Sequence, residues 1–110
     1  MIPMSLAQIA QVTDGQLLNC ADSSMVVSNI STDTRTVTDG ALFIALQGER
    51  FDAHQFVDQA MLKGAVAAVV SRPLPDTIPQ ILVADTRIAL GQIAARGREQ
   101  LDLQIVAITG

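Results

Sequence analysis

The sequence predicts an α/β fold in which helices pack on a small β-sheet. Three observations indicate this class. In the second half of the chain, apolar runs of strand length alternate with stretches that carry helix-capping signals. Hydrophobic residues make up 49% of the 110 residues, which is enough for a core. Aromatic residues contribute only 3%, so the core must be built mainly from aliphatic side chains.

The first helix is predicted to begin after Ser5. Ser5 and Gln8 have the spacing of a capping box, and Met4 and Ile9 are placed for a hydrophobic staple. A tight-turn signal, Asp14-Gly15, follows the apolar stripe of this helix. The helix is therefore expected to end in a turn that leads directly into an extended segment.

Strand-like segments and a polar turn follow this helix. Residues 16–19 form a short extended segment and residues 25–32 a β-rich run. Residues 33–40 are polar and turn-prone, whereas residues 41–46 are an apolar run of strand length. The pattern predicts a polar turn between two strands.

The second helix is predicted to start at Asp52, which is a favourable N-cap residue. Gln55 stands at the capping-box position, and Phe51 and Phe56 are spaced for a hydrophobic staple. Gly64 provides a C-terminal cap. The buried face of this helix is predicted to contain Phe56, Val57, Ala60 and Met61.

Two further strands and a third helix are predicted next. Residues 65–70 are predicted to form a buried strand, and residues 80–84 are predicted to form a short strand. Residues 71–79, which contain three prolines, are predicted to form a stiff surface loop between them. Asp85 is expected to cap a helix over residues 86–100. The apolar stripe of that helix is predicted to contain Leu90, Ile93, Ala94, Gly97 and Leu101.

The last residues form a distinct pattern. Residues 104–108 are an apolar β-run, followed at once by Thr109 and Gly110. A buried strand that leads directly into glycine is typical of the entry to a phosphate-binding loop. One interpretation is that the chain stops just before such a loop, and the other is that it simply ends near a glycine. The helix and this strand would then pack on the preceding domain, pair with another copy, or fray.

Charge and cysteine content exclude several classes of protein. A net charge of −4 argues against a general nucleic-acid-binding protein, and an anionic ligand would need a locally positive site. The single cysteine, Cys20, excludes an internal disulfide and has no basic neighbour of the kind that activates a thiol. The sequence shows neither a signal-peptide pattern nor an apolar run of about 18 residues. It therefore predicts a soluble, cytoplasmic protein.

Three segments together resemble a known family. They are residues 31–35 (STDTR), residues 40–54 (GALFIALQGERFDAH) and residues 105–110 (IVAITG). Their order and spacing are similar to the amino-terminal part of Mur ligases, and the resemblance covers essentially the whole chain. Residues 48–54 and the later segment 71–74 (SRPL) favour the member that adds D-alanyl-D-alanine over the member that adds the third amino acid.

The resemblance implies a three-domain, ATP-dependent ligase of peptidoglycan precursor synthesis. In such enzymes ATP phosphorylates the terminal carboxylate of UDP-N-acetylmuramoyl-tripeptide, and the amine of D-alanyl-D-alanine attacks the acyl phosphate. Residues 1–83 would form the first domain, a small mixed sheet with packed helices that holds the UDP moiety. Residues 84–110 would be the first helix and strand of the P-loop central domain.

The resemblance also implies what this chain does not contain. ATP and Mg²⁺ would act in the full-length parent, whose phosphate-loop lysine, magnesium ligands and third domain are absent from these residues. No catalytic residue, bound cofactor or metal ligand is therefore expected here, and neither a nucleic acid polymer nor membrane insertion is expected. The chain alone should have no ligase activity.

Two loops are implied as the UDP site. A uracil edge needs hydrogen bonds, and a diphosphate needs cations or exposed N–H groups. The resemblance places uridine contacts at Thr32 and Thr34 and a closing loop after the next strand. The implied substrate-binding residues are Thr32, Asp33, Thr34, Arg35, Gly48, Glu49, Arg50 and Phe51. The incomplete start of an ATP loop is implied at Thr109 and Gly110.

Other interpretations of these residues remain open from the sequence. Arg35 could pair with Asp33 or Asp39 on the surface, where such a pair contributes about 0–1 kcal/mol. Thr32 and Thr34 could be ordinary strand and turn residues.

The residues around the second helix start carry alternatives of their own. Phe51 could be a staple or a stacking surface, and Asp52 is better explained as a helix cap than as a catalytic acid. His54 has no second ligand at metal-binding spacing, so it is interpreted as structural or substrate-adjacent. For the whole protein, the alternatives are the third-residue-adding ligase, a non-catalytic nucleotide-sugar module and a protein-interaction module.

Overall fold

A computed structural model of the chain describes residues 3–48, 52–75 and 78–109, with side chains as far as residue 97. A mixed sheet is its main element, and the bounds of the helices and strands are as follows. The strands are β1 Met4–Ser5, β2 Gln16–Leu18, β3 Val26–Val27, β4 Asn29–Ser31, β5 Ala41–Ile44, β6 Ala67–Val70 and β7 Gln80–Leu82. The α-helices are α1 Leu6–Thr13, α2 Val57–Leu62 and α3 Thr86–Thr109, and 3₁₀ turns cover Thr34–Thr36 and Ala53–Phe56.

The larger sheet has the strand order β2-β7-β6-β5-β4. Strands β4 to β7 are parallel, and β2 pairs with β7 in the antiparallel direction. A separate two-stranded antiparallel ladder joins β1 to β3. The predicted class, a small mixed sheet with helices packed on it, is confirmed. Because the parallel strands end at the same edge, the loops that follow β4, β5 and β6 lie on one side of the molecule.

The two faces of the sheet bury different side chains, as the two-residue period of a strand requires. Leu42 and Ile44 face one core, which also contains Ile9 from α1 and Ile93 from α3. Phe43 faces the opposite core, which contains small residues of the Ala53–Phe56 turn and α2. Helices therefore cover both faces of the sheet.

The predicted helix starts at Ser5 and Asp85 are confirmed by their hydrogen bonds. The Ser5 hydroxyl accepts from the Gln8 amide at 3.1 Å, and the Gln8 side chain accepts from the Ser5 amide at 2.9 Å. Met4 and Ile9 are both buried in one core, as the staple predicts. The Asp85 carboxylate accepts from the amide of Arg87 at 2.8 Å.

The predicted strand at residues 104–108 is wrong, because α3 continues as a helix to Thr109. A strand needs backbone partners on a neighbouring strand. The described sheet has its edges at β4 and β2, and neither pairs with residues 104–108. A helix satisfies its backbone groups internally, so it does not need the missing partner strand.

The buried stripe of α3 agrees with its prediction except at one residue. Ile93 and Gly97 are buried and Leu90 packs against the core as predicted, whereas the predicted Ala94 is exposed and Ala89, which was not predicted, is buried. The side chain of Leu101 lies outside the described residues. The start of α3 thus packs on α1 and the sheet, in agreement with one of the three expected outcomes. None of the helices in the described part of the chain is long and apolar enough to span a membrane.

Candidate functional site

The turn after β4 is built by short-range hydrogen bonds. β4 ends at Ser31, whose hydroxyl donates to the carbonyl oxygen of Asp33 at 2.7 Å and lies 2.6 Å from the hydroxyl of Thr36. Asp33 caps the following 3₁₀ turn, since its carboxylate accepts from the Arg35 amide at 2.9 Å. The side chains of Ser31, Asp33 and Thr36 are therefore used to shape the turn. No described side-chain hydrogen bond involves Thr32 or Thr34.

This turn forms one wall of a cavity of about 410 Å³. The size lies in the range of small-molecule sites, roughly 300–1,000 Å³. β5 runs beside β4 with Phe43 opposite Ser31, so Phe43 lies at the base of the turn. The cavity is lined by Thr32, Asp33, Thr34, Arg35, Phe43, Ala53, Phe56 and Gln59.

The chemistry of the lining suits a flat ring with a polar edge. Two aromatic side chains and Ala53 provide apolar walls, while two threonine hydroxyls and the Gln59 amide provide hydrogen-bonding groups. All four residues predicted in the 32–35 turn therefore line one cavity. Whether they bind a nucleotide stays a prediction.

The guanidinium of Arg35 is already paired. It donates to both carboxylate oxygens of Asp33, with Nη2–Oδ2 at 2.6 Å and Nε–Oδ1 at 3.1 Å. Hydrogen bonds from the Arg35 side chain, and then from its amide, lower the pKa of Asp33 to about 2. The sequence left Asp33 and Asp39 as alternative surface partners, and the structure selects Asp33. Arg35 is mostly exposed, so it remains accessible to an anion.

The second predicted loop is described only in part. Gly48 is exposed, and its neighbour Gln47 forms an isolated antiparallel bridge with Asp52. Glu49, Arg50 and Phe51 lie outside the described residues, and so does the predicted staple of Phe51 to Phe56. At the other end of the chain, Thr109 is the last residue of α3, and Gly110 lies outside the description.

The predicted cap at Asp52 is confirmed and belongs to a larger hydrogen-bonded group. One Asp52 oxygen accepts from the His54 amide at 3.0 Å and lies 2.6 Å from His54 Nδ1. The other oxygen accepts from Arg72 Nη2 at 2.6 Å. On the far side of the imidazole, the Ser71 amide donates to His54 Nε2 at 3.0 Å. We refer to Arg72, Asp52, His54 and Ser71 together as the histidine clamp.

The hydrogen bonds define the state of the imidazole. A carboxylate can only accept, so Nδ1 carries the proton, and Nε2 is unprotonated because it accepts from the Ser71 amide. The ring is neutral and its side chain is 0% exposed. His54 is thus structural in the way the sequence allowed, although its partners after β6 were not foreseen.

Asp52, His54 and Ser71 also have the order of an acid–base–nucleophile triad, and the Ser71 hydroxyl lies 3.3 Å from Nε2. The contacts argue against that chemistry. The Nε2 lone pair is directed at a backbone amide, and a fully buried ring leaves no room for a substrate. The arrangement is suited to holding two loops together.

Burial and hydrogen bonding act in opposite directions on Asp52. Burial alone would raise its pKa, but hydrogen bonds from Arg72 and from the amide and ring of His54 outweigh this and lower the pKa to about 2. The carboxylate is therefore ionised throughout the neutral range. Among the described residues, no group of three or more His, Cys, Asp or Glu side chains could hold a metal ion.

Several cavity residues were missed from the sequence. Phe56 was assigned to the buried helix face, and Phe43, Ala53 and Gln59 were given no binding role. Phe56 is only half-buried, and Gln59 follows it by three residues on the same face of the helix. That spacing was the available signal. It becomes informative only when the helix is known to face the turn after β4.

Comparison with known proteins gives a consistent result. The family model described as "Mur ligase family, catalytic domain" matches residues 26–98. UDP-N-acetylmuramoyl-tripeptide--D-alanyl-D-alanine ligase of Escherichia coli (strain K12) is 46% identical over 110 residues, covering 100% of this chain and 24% of that protein. This chain therefore spans about a quarter of the length of that relative.

Solved structures agree with the sequence matches. A crystal structure of MurF from Acinetobacter baumannii superimposes with a TM-score of 0.81 at 43% identity, over 91% of this chain and 22% of that one. MurF ligase from Thermotoga maritima, solved in complex with ADP, gives a TM-score of 0.56 at 29% identity, over 62% of this chain and 16% of that one. The similarity thus extends from sequence to fold.

Proposed function

Because the chain belongs to the Mur ligase family, we propose that it forms the substrate-anchoring part of an ATP-dependent ligase that adds D-alanyl-D-alanine to UDP-N-acetylmuramoyl-tripeptide. This member of the family is supported by relatives from Escherichia coli and Haemophilus influenzae, which are D-alanyl-D-alanine-adding ligases and match over the whole chain. The third-residue-adding ligase is the alternative within the family. We propose that the reaction takes place in the cytoplasm.

One observation carries the anchoring role. The four residues of the 32–35 turn, implied by the family resemblance, line one cavity opposite the aromatic side chains of Phe43 and Phe56. A uracil ring needs apolar contact on its faces and hydrogen bonds at its edge. The cavity supplies the first through its aromatic walls and the second through Thr32 and Thr34. Arg35 lines the same cavity and would bind the diphosphate.

We propose that the other steps of the reaction depend on parts of the related ligases that this chain does not cover. We propose that residues 1–83 form the UDP-binding domain and that residues 84–110 begin the ATP-binding domain. No group of three or more His, Cys, Asp or Glu side chains among the described residues could hold a metal ion, so these residues do not fit Mg²⁺. We assign ATP and Mg²⁺ to the full-length parent and propose no catalytic step for a residue of this chain.

The test is an amide NMR titration of the 110-residue chain with UDP and with UDP-N-acetylmuramoyl-tripeptide. We expect the shifts to cluster at Thr32 to Arg35 and at Phe43, Phe56 and Gln59. ADP serves as the comparison ligand, because a site that reads uracil should not accept a purine equally well. An absence of shifts at these residues with millimolar UDP would refute anchoring by this chain.

A matched pair of variants makes the titration specific. Thr34→Val removes a hydroxyl that lines the cavity, whereas Thr38→Val removes one from an exposed threonine outside it. The loss of one hydrogen bond, about 1 kcal/mol, should weaken UDP binding about fivefold in Thr34→Val. Thr38→Val should bind as the unmodified chain does. Equal affinities for all three proteins would exclude the 32–35 turn as the base-reading element.

Ligase activity of the protein that contains this chain would separate the family members. The proposal predicts that it uses the tripeptide nucleotide with D-alanyl-D-alanine. Activity instead with the dipeptide nucleotide and a single amino acid would establish the alternative.

A further inference from the structure

The histidine clamp joins two segments that are far apart in the sequence. Asp52 and His54 begin the helical segment 53–62, while Ser71 and Arg72 follow directly after β6. β6 lies in the middle of the larger sheet, with β5 on one side and β7 on the other. The clamp therefore ties the start of the helical segment to the end of a central strand that is paired on both edges.

The same helical segment forms one wall of the cavity. Ala53, Phe56 and Gln59 are its lining residues, and Ala53 lies between the two clamp residues Asp52 and His54. The opposite wall is the 32–35 turn, which is held independently by Ser31 and Asp33. The width of the cavity thus depends on where the clamp holds the helical segment.

The fully buried apolar contacts of this segment are small. The side chains that it buries completely are those of Ala53, Val57 and Ala60, two of which are single methyl groups, and Met61 packs against the same core while only partly buried. Small side chains remove little area from water and so contribute little to fixing a position. The segment therefore relies on polar contacts at its start, and both nitrogens of the buried His54 ring supply them.

We propose that His54 is a positioning residue that holds the helical wall of the cavity through Asp52 and Ser71, in the geometry that grips the base of the nucleotide. The gripping role rests on the proposed function. The imidazole is suited to the task because a neutral ring donates on one side and accepts on the other. The ring itself is fully buried and both bonds are partly shielded from solvent, so competition from water is reduced.

Two isosteric variants separate the two bonds of the ring. In His54→Asn the side-chain amide nitrogen takes the place of Nδ1, so the bond to Asp52 can be kept while the bond to Ser71 is lost. In His54→Gln the amide oxygen takes the place of Nε2, so the Ser71 bond can be kept while the Asp52 bond is lost. Gln55→Ala is the matched control, because Gln55 is the exposed neighbour in the same turn and does not line the cavity.

The experiment measures amide hydrogen exchange and UDP affinity for the 110-residue chain and the three variants. Val69, a buried residue of β6, is the internal reference for general destabilisation. We expect amides of the segment 57–62 to exchange about five- to tenfold faster relative to Val69 in both His54 variants, which corresponds to one lost hydrogen bond. UDP affinity should fall by a similar factor in both variants and remain unchanged in Gln55→Ala.

Two results would overturn the proposal. Equal acceleration at Val69 and in the helical segment would mean that His54 stabilises the whole fold without positioning the wall. Selective loosening with unchanged UDP affinity would mean that the wall does not grip the nucleotide. If the unmodified chain binds no UDP, the proposed function fails, and the exchange rates alone then decide whether His54 holds the wall.

Discussion

Replacing Asp52 by asparagine should change the pH dependence of stability in a defined direction. The folded-state pKa of Asp52 is lowered to about 2 from the ordinary value of 3.8. A carboxyl group with a depressed pKa stabilises the fold fully above its unfolded pKa and loses that contribution as the pH falls through the folded value. Asparagine does not titrate and lacks this contribution at every pH. The unmodified protein and Asp52→Asn should therefore differ most near neutral pH.

The magnitude follows from the shift and from the partners of Asp52. A pKa depression of nearly two units corresponds to roughly 2 kcal/mol of stability. Arg72, which supplies the largest stabilising hydrogen bond, has a side chain that is 48% exposed, so solvent screens part of this interaction. We therefore expect Asp52→Asn to reduce the free energy of unfolding by about 1–2 kcal/mol at neutral pH. The difference should narrow progressively below about pH 4.

Urea denaturation at a series of pH values measures this difference directly. Both proteins contain Asp22 and Asp33, whose pKa values are also lowered, so the contributions of those groups cancel in the comparison. Arg87→Met serves as a control, because the described residues include no ion pair of Arg87. A gap between the two proteins that stays constant from neutral to acidic pH would refute the assignment of this stability to the ionised Asp52 carboxylate.

Four further variants, one of them a control, test the fold by urea denaturation. Ile93→Ala should lower the free energy of unfolding by about 2–5 kcal/mol, because it empties a buried site between α3 and the sheet. Ile88→Ala, at an exposed position of the same helix, should change it by no more than about 0.5 kcal/mol. Similar values for the two variants would mean that α3 does not pack as described. Gly64→Ala should lower the free energy of unfolding by more than about 1 kcal/mol, because φ at Gly64 is +116° and the added methyl group would meet the backbone of Asp39. An unchanged free energy of unfolding would contradict that backbone conformation. Ser5→Ala should cost about 1 kcal/mol through loss of the capping box, and an unchanged midpoint would show that the cap is dispensable.

Helix starts were predictable from the sequence because their causes are local. Ser5 with Gln8, and the carboxylates of Asp52 and Asp85, bond to amides no more than three residues away. The strand positions followed from apolar runs for the same reason. At the other end of the chain, residues 104–108 have strand composition but no strand to pair with, so composition alone misled the prediction.

Only one wall of the cavity could be predicted from the sequence, because only that wall is formed by a single short segment. The turn that follows β4 is encoded in one short segment, and the family resemblance implied all four of its cavity residues. The opposite wall depends on contacts between distant segments, such as the bond of Asp52 to Arg72 twenty residues later. Such pairs are set by the order of strands in the sheet. Neither hydrophobic periodicity nor capping patterns carry that information.

The Arg35–Asp33 pair has a consequence for which anions the turn can take up. An incoming phosphate that takes the Nε–Nη2 edge of the guanidinium must displace the Asp33 carboxylate, so on that edge the cation exchanges one anionic partner for another. Such an exchange yields little free energy, since both anions offer the same kind of charged, forked contact. A free phosphate ion has no other groups that could contact the cavity, so it should compete poorly with Asp33 for the Arg35 guanidinium. The turn is biased against the abundant inorganic ion and in favour of a ligand whose other groups also find partners in the cavity.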